Sequence, residues 1–298
     1  WYKTLLSTKK VLSQCLKDLV LDLQLTRKLL TNTGFHRGLQ FMIVQVEVLR
    51  EFYVNILRAV GTMPEEAEIT SYALIDSDLH GLETHGAFRI PGYIRLVQEG
   101  VLQAESKPVV EWKKGALSLI NGKNGWGQPA ALMAVNEVIN NAKDHFVGAA
   151  GIRNTNHIGT CAYYAKKLAN AGLVGFVTTN SPPNMPPWGG RDPILGTNPI
   201  CFSAPAPEGK SIVVDMATSV VAKGKILLAA ERGESIPEGW ALDKSGRPTK
   251  DPKAALAGSL LPVGGPKGYG LALFADIFQE FLPVRVLLRI STACMTKI

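Results

Sequence analysis

The segment Asp78-Leu79-His80-Gly81-Leu82-Glu83-Thr84-His85-Gly86-Ala87-Phe88-Arg89 concentrates ionisable side chains between two apolar runs. His85 and Arg89 are four residues apart, so on a helix they share a face. A guanidinium grips a carboxylate through paired hydrogen bonds. An imidazole moves a proton in either direction near neutrality. The pair therefore suits a small carboxylic acid whose neighbouring oxygen gains or loses a proton. The same residues also fit a polar surface turn, and spacing alone leaves both readings open.

Four more clusters carry polar groups or glycines. Arg153-Asn154-Thr155-Asn156-His157-Ile158-Gly159-Thr160 follows an expected strand and opens an expected helix. Amides at a helix start can hold a phosphate or carboxylate; the alternative is a simple helix start capped by Asn154 or Thr155. Asn180 to Gly190, with Ser181 and four prolines, is followed by Leu195-Gly196-Thr197-Asn198-Pro199. Prolines stiffen such a loop and glycines let a ligand approach the backbone, though a rigid connection would read the same way. Asp215-Met216-Ala217-Thr218-Ser219 leaves another strand, and Lys223-Gly224-Lys225 begins the next helix. Thr218 or Ser219 could equally be a helix cap. Lys267 sits in the glycine-rich run Gly264 to Gly270.

Several familiar sites are missing. No GxGxxG dinucleotide fingerprint exists; Gly122, Gly125 and Gly127 have the wrong order, and Gly224-Lys225-Ile226 lacks the hydroxyl of a phosphate-binding loop. Neither HExxH nor CxxC occurs, so no metal site is expected. Any nucleotide site here is of another kind.

The elements that must position these clusters are legible from periodicity. Leucines at 5, 12, 16, 19, 23 and 30 suggest an amphipathic helix. Helices are expected over Val44–Val60, from a capping box of Thr62 and Glu65 with Pro64 in its first turn to about Leu79, and over His85–Gln98 with an irregularity at Pro91-Gly92. From Leu117 the texture changes. Strands are expected at Leu117–Ile120, Val147–Arg153, Leu173–Thr179, Ile200–Ala204 and Ile212–Met216. Helices are expected at Ala130–Lys143, Ile158–Ala171, Lys223–Arg232 and Tyr269–Phe278. The fold class is α/β, a helical N-terminal domain followed by a non-Rossmann sheet domain.

Composition narrows the partners. The chain has 298 residues and a net charge of +7. The excess lies at the ends: residues 51–278 carry equal numbers of basic and acidic side chains. A neutral body with basic ends is not the footprint of a nucleic-acid domain. No run of eighteen apolar residues exists, so no membrane partner is expected. Cys15, Cys161, Cys201 and Cys294 are widely spaced and fit a reducing compartment, so a cytoplasmic location is expected.

Five ordered motifs make this chain resemble the malate/L-lactate dehydrogenase family of the second type. Its Ser-His-Gly-x-x-Arg stands here as Thr84-His85-Gly86-Ala87-Phe88-Arg89, and its Asn-His-x-Gly as Asn156-His157-Ile158-Gly159. Gly196 to Pro199, Asp215 to Ser219 and Lys267 to Gly270 match its Gly-Thr-Asn-Pro, Asp-Met-Ala-Thr-Ser and Lys-Gly-Tyr-Gly. The resemblance covers about residues 45 to 278. It implies NAD or NADP as cofactor, a non-Rossmann nucleotide fold, a small-molecule 2-hydroxy acid such as malate or lactate, and a homodimer. It also implies roles: His85 as proton donor and acceptor, Thr84 as its orienting hydroxyl, and Arg89 and Thr197 on the substrate carboxylate. Lys223 and Gly224 would lie near the substrate. Ser181, Asp215, Met216, Ala217 and Lys267 would line the nucleotide. His157 would face the same site, in acid–base work or in cofactor contact.

The organisation that follows is an unmatched leucine-rich extension over 1–43, a helical domain over 44–115, a nucleotide-binding α/β domain over 116–278 and a divergent tail over 279–298. The resemblance implies that the C-terminal part of the family's fold is missing. The competing reading is a non-catalytic member that keeps only a dimer or ligand-binding surface.

Overall fold

The computed structural model describes residues 44–285, with no account of the side chains of Glu83 and residues 280–285. The expected leucine-rich helix over 5–30 and most of the divergent tail lie outside the described residues.

The chain starts with helices α1 (Val46–Ala59) and α2 (Pro64–Leu79), two single 3-10 turns at Glu83–His85 and Ala87–Arg89, and α3 (Ile90–Gln98). Next come β1 (Val109–Lys114), β2 (Leu117–Gly125), α4 (Gly127–His145), β3 (Ala149–Thr155) and α5 (Cys161–Asn170). Strands β4 (Gly175–Thr178), β5 (Ile200–Pro205) and β6 (Ser211–Met216) precede α6 (Lys223–Arg232). Short β7 (Ala241–Leu242), α7 (Pro252–Ala257) and β8 (Ser259–Leu260) lead to α8 (Pro266–Arg285).

The chain divides into two compact units. The first runs to Val109 and takes in Gly122–Ala130 and Asn154–Gly159. Its core is built from one face each of α1, α2 and α3, where Tyr53, Leu57, Leu74, Ile90, Tyr93 and Trp126 are buried together. The second unit holds Val110–Asn121, Ala131–Arg153 and everything from Thr160. It has its own core, with Met185, Leu195, Ile226, Leu260 and Ala272 at the centre.

Sheet order is β1-β2-β3 and β4-β5-β6. The second sheet is an antiparallel meander, with Cys201 opposite Asp215 and Phe202 opposite Val214. Strand alternation sends neighbouring side chains to opposite faces. Cys201 and Ser203 turn inward, and the Ser203 hydroxyl donates to the Ala165 carbonyl of α5 at 2.6 Å. Phe202, Ile212, Val214 and Met216 lie exposed.

Several expectations are corrected. The capping box at Thr62 does not form: Pro64 occupies the first turn, Met63 becomes the cap residue, and the buried Thr62 hydroxyl has no partner. His85 and Arg89 do not share a continuous α-helix. The chain breaks at Gly86 (φ −96°, ψ −132°) into two 3-10 turns, upstream of the expected break at Pro91, which sits in the first turn of α3 instead. Helix α5 starts at Cys161 after cap residue Thr160, so Asn154 and Thr155 belong to the end of β3 and not to the helix start. Lys267 lies in the first turn of a helix that starts at Pro266. β1 was not anticipated at all.

Candidate active site

In the first unit the histidine–arginine segment is held from beneath by one carboxylate. Helix α2 ends at Leu79, and Gly81 adopts φ +69°, which turns the chain back on itself. This lets the backbone amide of Ala87 donate to both oxygens of Asp78 at 3.1 and 3.2 Å. The Tyr53 hydroxyl, from α1, donates to the same carboxylate at 2.7 Å. Burial, then this bond, pushes the Tyr53 phenol well above its ordinary range. A Cβ on Gly86 would run into the Asp78 carboxylate, so a larger residue here would displace that side chain from its bonds.

That clamp sets out the reactive groups. Arg89 Nε donates to the Thr84 carbonyl at 2.6 Å, which folds the guanidinium back over the first turn. The Thr84 hydroxyl lies 3.0 Å from His85 Nδ1. The His85 ring stacks on that of His157, with centroids 5.6 Å apart and planes 28° apart. His157 Nδ1 lies 2.8 Å from the Tyr93 hydroxyl, which accepts a hydrogen bond from Gln128 Nε2 at 2.9 Å. Asn156 Nδ2 ties this loop to the carbonyls of Asn124 and Gly125, both at 2.9 Å.

The electrostatics are those of a partly dry cationic site. Burial, and then the nearby Arg89 charge, lower the pKa of His85 to about 4. Burial, Arg89 and His85 lower that of His157 to about 3. Both rings are neutral at pH 7. Arg89 itself is lowered by burial yet stays charged, since a guanidinium loses its proton only at extreme pH.

The second unit carries the other expected residues. Ser181 Oγ lies 3.2 Å from Thr197 Oγ1. Asn198, fully buried, accepts from the Ser181 amide at 3.0 Å and donates to the Ala272 carbonyl and the Asp276 carboxylate of α8. A Cβ on Gly196 would strike the Ser181 carbonyl, so the two loop arms touch at backbone level. Thr218 donates to the Thr197 carbonyl through both its amide and its hydroxyl. Lys223 Nζ donates to Asn184 Oδ1 at 2.8 Å, with Gly224 next to it at the start of α6. Asp215 accepts from the Ala162 amide at 2.8 Å and so serves the first turn of α5. Met216 is exposed on the opposite strand face, and Ala217 follows it in the loop before Thr218. Gly264 and Gly265 both have positive φ and lead into α8, with Trp188 packed over Gly265 and Lys267 exposed in the first turn.

The Ser181 hydroxyl and the Lys267 ammonium at the start of a twenty-residue helix have the chemistry that anionic phosphate oxygens take. The glycine pair leaves the approach clear of side chains. Among the described residues, no three His, Cys, Asp or Glu side chains gather as metal ligands.

Sequence reasoning placed Thr84, His85, Arg89 and His157 as candidates, and the fold brings these four together in one unit. It missed Tyr93, Gln128 and the anchoring roles of Asp78 and Asn198. Tyr93 stands four residues beyond Arg89, and that spacing was its available signal.

A family model of the malate/L-lactate dehydrogenases matches residues 44–290. The chain belongs to the malate/L-lactate dehydrogenase family. The match extends past the expected limit at residue 278. Malate/(S)-sulfolactate dehydrogenase of Methanothermus fervidus is 41% identical over 236 residues, 79% of this chain and 69% of the relative. A (2R)-3-sulfolactate dehydrogenase (NADP(+)) of Chromohalobacter salexigens is 41% identical over 77% of this chain and 68% of its own length. The ureidoglycolate dehydrogenase (NAD(+)) of Escherichia coli K12 is 36% identical over 81% and 68%. Among solved structures, sulfolactate dehydrogenase from Methanocaldococcus jannaschii superposes with a TM-score of 0.74 at 39% identity, over 80% of this chain and 69% of that one. These malate/L-lactate dehydrogenase relatives are NAD(P)-dependent oxidoreductases of hydroxy acids, and the chain is an oxidoreductase of that type.

Proposed function

We propose that this chain transfers a hydride between a nicotinamide cofactor, NAD or NADP, and C2 of a small 2-hydroxy or 2-oxo acid of the malate or lactate kind. The observation that carries this reading is the neutral, half-buried His85 beside the charged Arg89, both fixed by the Asp78 clamp. When bound, the nicotinamide supplies or takes up the hydride. Arg89 pairs with the substrate carboxylate, and Thr197 supports it. His85 takes the hydroxyl proton during oxidation and returns it during reduction. Thr84 orients the His85 ring through Nδ1. Lys223 and Gly224 border the substrate. Ser181, Asp215, Met216, Ala217 and Lys267 hold the nucleotide, with Asp215 acting chiefly through the start of α5.

Burial is the larger cause of the low His85 pKa and the Arg89 charge the second; a carboxylate arriving at Arg89 offsets the second and moves the imidazole pKa upward. This is how one histidine serves both directions of the reaction. The chain acts on this reading as a homodimer in the cytoplasm. The exposed apolar strip Phe202, Ile212, Val214 and Met216 is a surface a second copy would cover, and the free buried thiols Cys161 and Cys201 suit a reducing compartment. No observation favours the non-catalytic reading, which would leave Arg89 and both histidines buried without a use.

The test is a panel of 2-oxo acids, including oxaloacetate and pyruvate, mixed with NADH or NADPH while nicotinamide absorbance is followed. Consumption that saturates with one acid and one nucleotide supports the reading. No consumption with any pair by the folded protein overturns it.

A further inference from the structure

We propose that Gln128 and Tyr93 are positioning residues that lock His157 as the neutral tautomer protonated at Nε2, making it a fixed hydrogen-bond donor and leaving His85, of the two stacked imidazoles, as the one that exchanges a proton. The inference rests on the dehydrogenase reading for its purpose, and on hydrogen-bond direction for its content.

A backbone N–H can only donate, and the amide of Gly159 points at His157 Nδ1 from 3.3 Å. Gly159 reaches this position through φ +87°. Nδ1 therefore carries a lone pair, and the proton of the neutral ring sits on Nε2. The Tyr93 hydroxyl, 2.8 Å from the same nitrogen, must then be a donor too. Its oxygen is free to accept, and Gln128 Nε2 fills that role at 2.9 Å. Turning the Gln128 amide over would ask Tyr93 to donate to Gln128 and accept from His157 Nδ1–H. That arrangement sets two protons against each other between Gly159 and His157. Only one ordering satisfies all three donors.

The relay is held rigidly. Gln128 is 1% exposed in the first turn of α4, and Tyr93 is 3% exposed with its ring edge-on to Trp126 at 5.7 Å. Burial pushes the Tyr93 phenol up to about 12, so it keeps its proton. A Cβ on Gly127 would run into the carbonyls of Asn156 and His157, so the helix start and the histidine loop meet backbone to backbone. The charged or titratable groups facing His157 are His85, Arg89 and Tyr93; Arg89 can only donate, and burial, then the Arg89 and His85 charges, hold His157 below its ordinary range.

The experiment is two-dimensional ¹⁵N-histidine NMR on the full chain, with His157 assigned by the loss of its signals in His157→Gln. The expected spectrum shows His157 protonated at Nε2 and unchanged between about pH 5 and about pH 8. Gln128→Glu supplies an acceptor for the Tyr93 proton and so takes one donor away from Nδ1, which lets His157 titrate at higher pH while the Gly159 amide still faces Nδ1. Tyr93→Phe, which keeps the ring packing, removes one donor and lets His157 titrate at higher pH. Where the wild type turns over, both variants lower kcat about tenfold or more, with nucleotide affinity within about twofold. A wild-type signal from Nδ1–H, a wild-type His157 that titrates near neutrality, or variants whose His157 titration does not move would overturn the proposal. An inactive wild type with the expected spectra and variant shifts would sink the dehydrogenase reading alone and support this assignment.

Discussion

The imidazoles of His85 and His157 stack 5.6 Å apart, so the two rings share one partly buried space with the Arg89 charge. Both are neutral when the protein is folded. In the unfolded chain each has an ordinary pKa of about 6.5. Between those values the unfolded chain binds protons that the folded one refuses, so stability is full above about pH 6.5 and falls as pH drops toward about 4 and about 3. The melting temperature should fall by several degrees over this window. His157→Gln should flatten the fall, and a pH-independent melting temperature would contradict the burial.

Arg89 has two duties that one substitution separates from simple damage. Arg89→Met removes the carboxylate partner, so KM for the 2-oxo acid should rise about 100-fold or more. It also removes the second cause of the low His85 pKa, so the limb of the pH–rate profile set by His85, which in the reduction direction is the alkaline one, should move to higher pH. An unchanged KM with an unchanged profile would remove Arg89 from the site.

Asp78 touches no reacting group in this account, yet it sets where His85 and Arg89 stand. Asp78→Asn weakens two charge-assisted bonds and should cost about 1–3 kcal/mol of stability. Turnover should fall further than stability explains, with nucleotide affinity preserved. Gly86→Ala should be more severe, because the added methyl meets the carboxylate directly. Equal activity in Gly86→Ala would refute the clamp.

Much of this was legible in the sequence because it is local. The Gly233 stop of α6 and the strands β5 and β6 each follow from residues within one turn or one strand. What escaped depends on distance. Tyr93 and His157 are 64 residues apart and Gln128 and Tyr93 are 35 apart, so their relay exists only once α3, α4 and the 156–159 loop are assembled. Thr62 misled because Pro64 fixes the helix start one residue later than the hydroxyl could cap. Strand β1 was invisible because Val109–Lys114 is mostly exposed and lacks alternation.

Asn198 offers the matching prediction in the second unit. Its amide holds the Ser181 backbone and the α8 groups Ala272 and Asp276 at once. Asn198→Ala leaves those buried partners unpaired and frees the Ser181 arm. The dissociation constant for NAD(P)H, read by fluorescence titration, should rise about tenfold or more, while the His85–His157 NMR signals stay in place. Unaltered nucleotide affinity in a folded variant would remove Asn198 from the nucleotide framework.

The central claim is that His85 carries the proton of a hydride transfer. It is tested most directly by single-turnover nicotinamide absorbance, with wild type and His85→Asn each saturated with the reduced cofactor and mixed with the best 2-oxo acid. The account predicts equal nucleotide binding and a rate lower by about 100- to 10,000-fold in the variant. A variant that transfers hydride at the wild-type rate would contradict it.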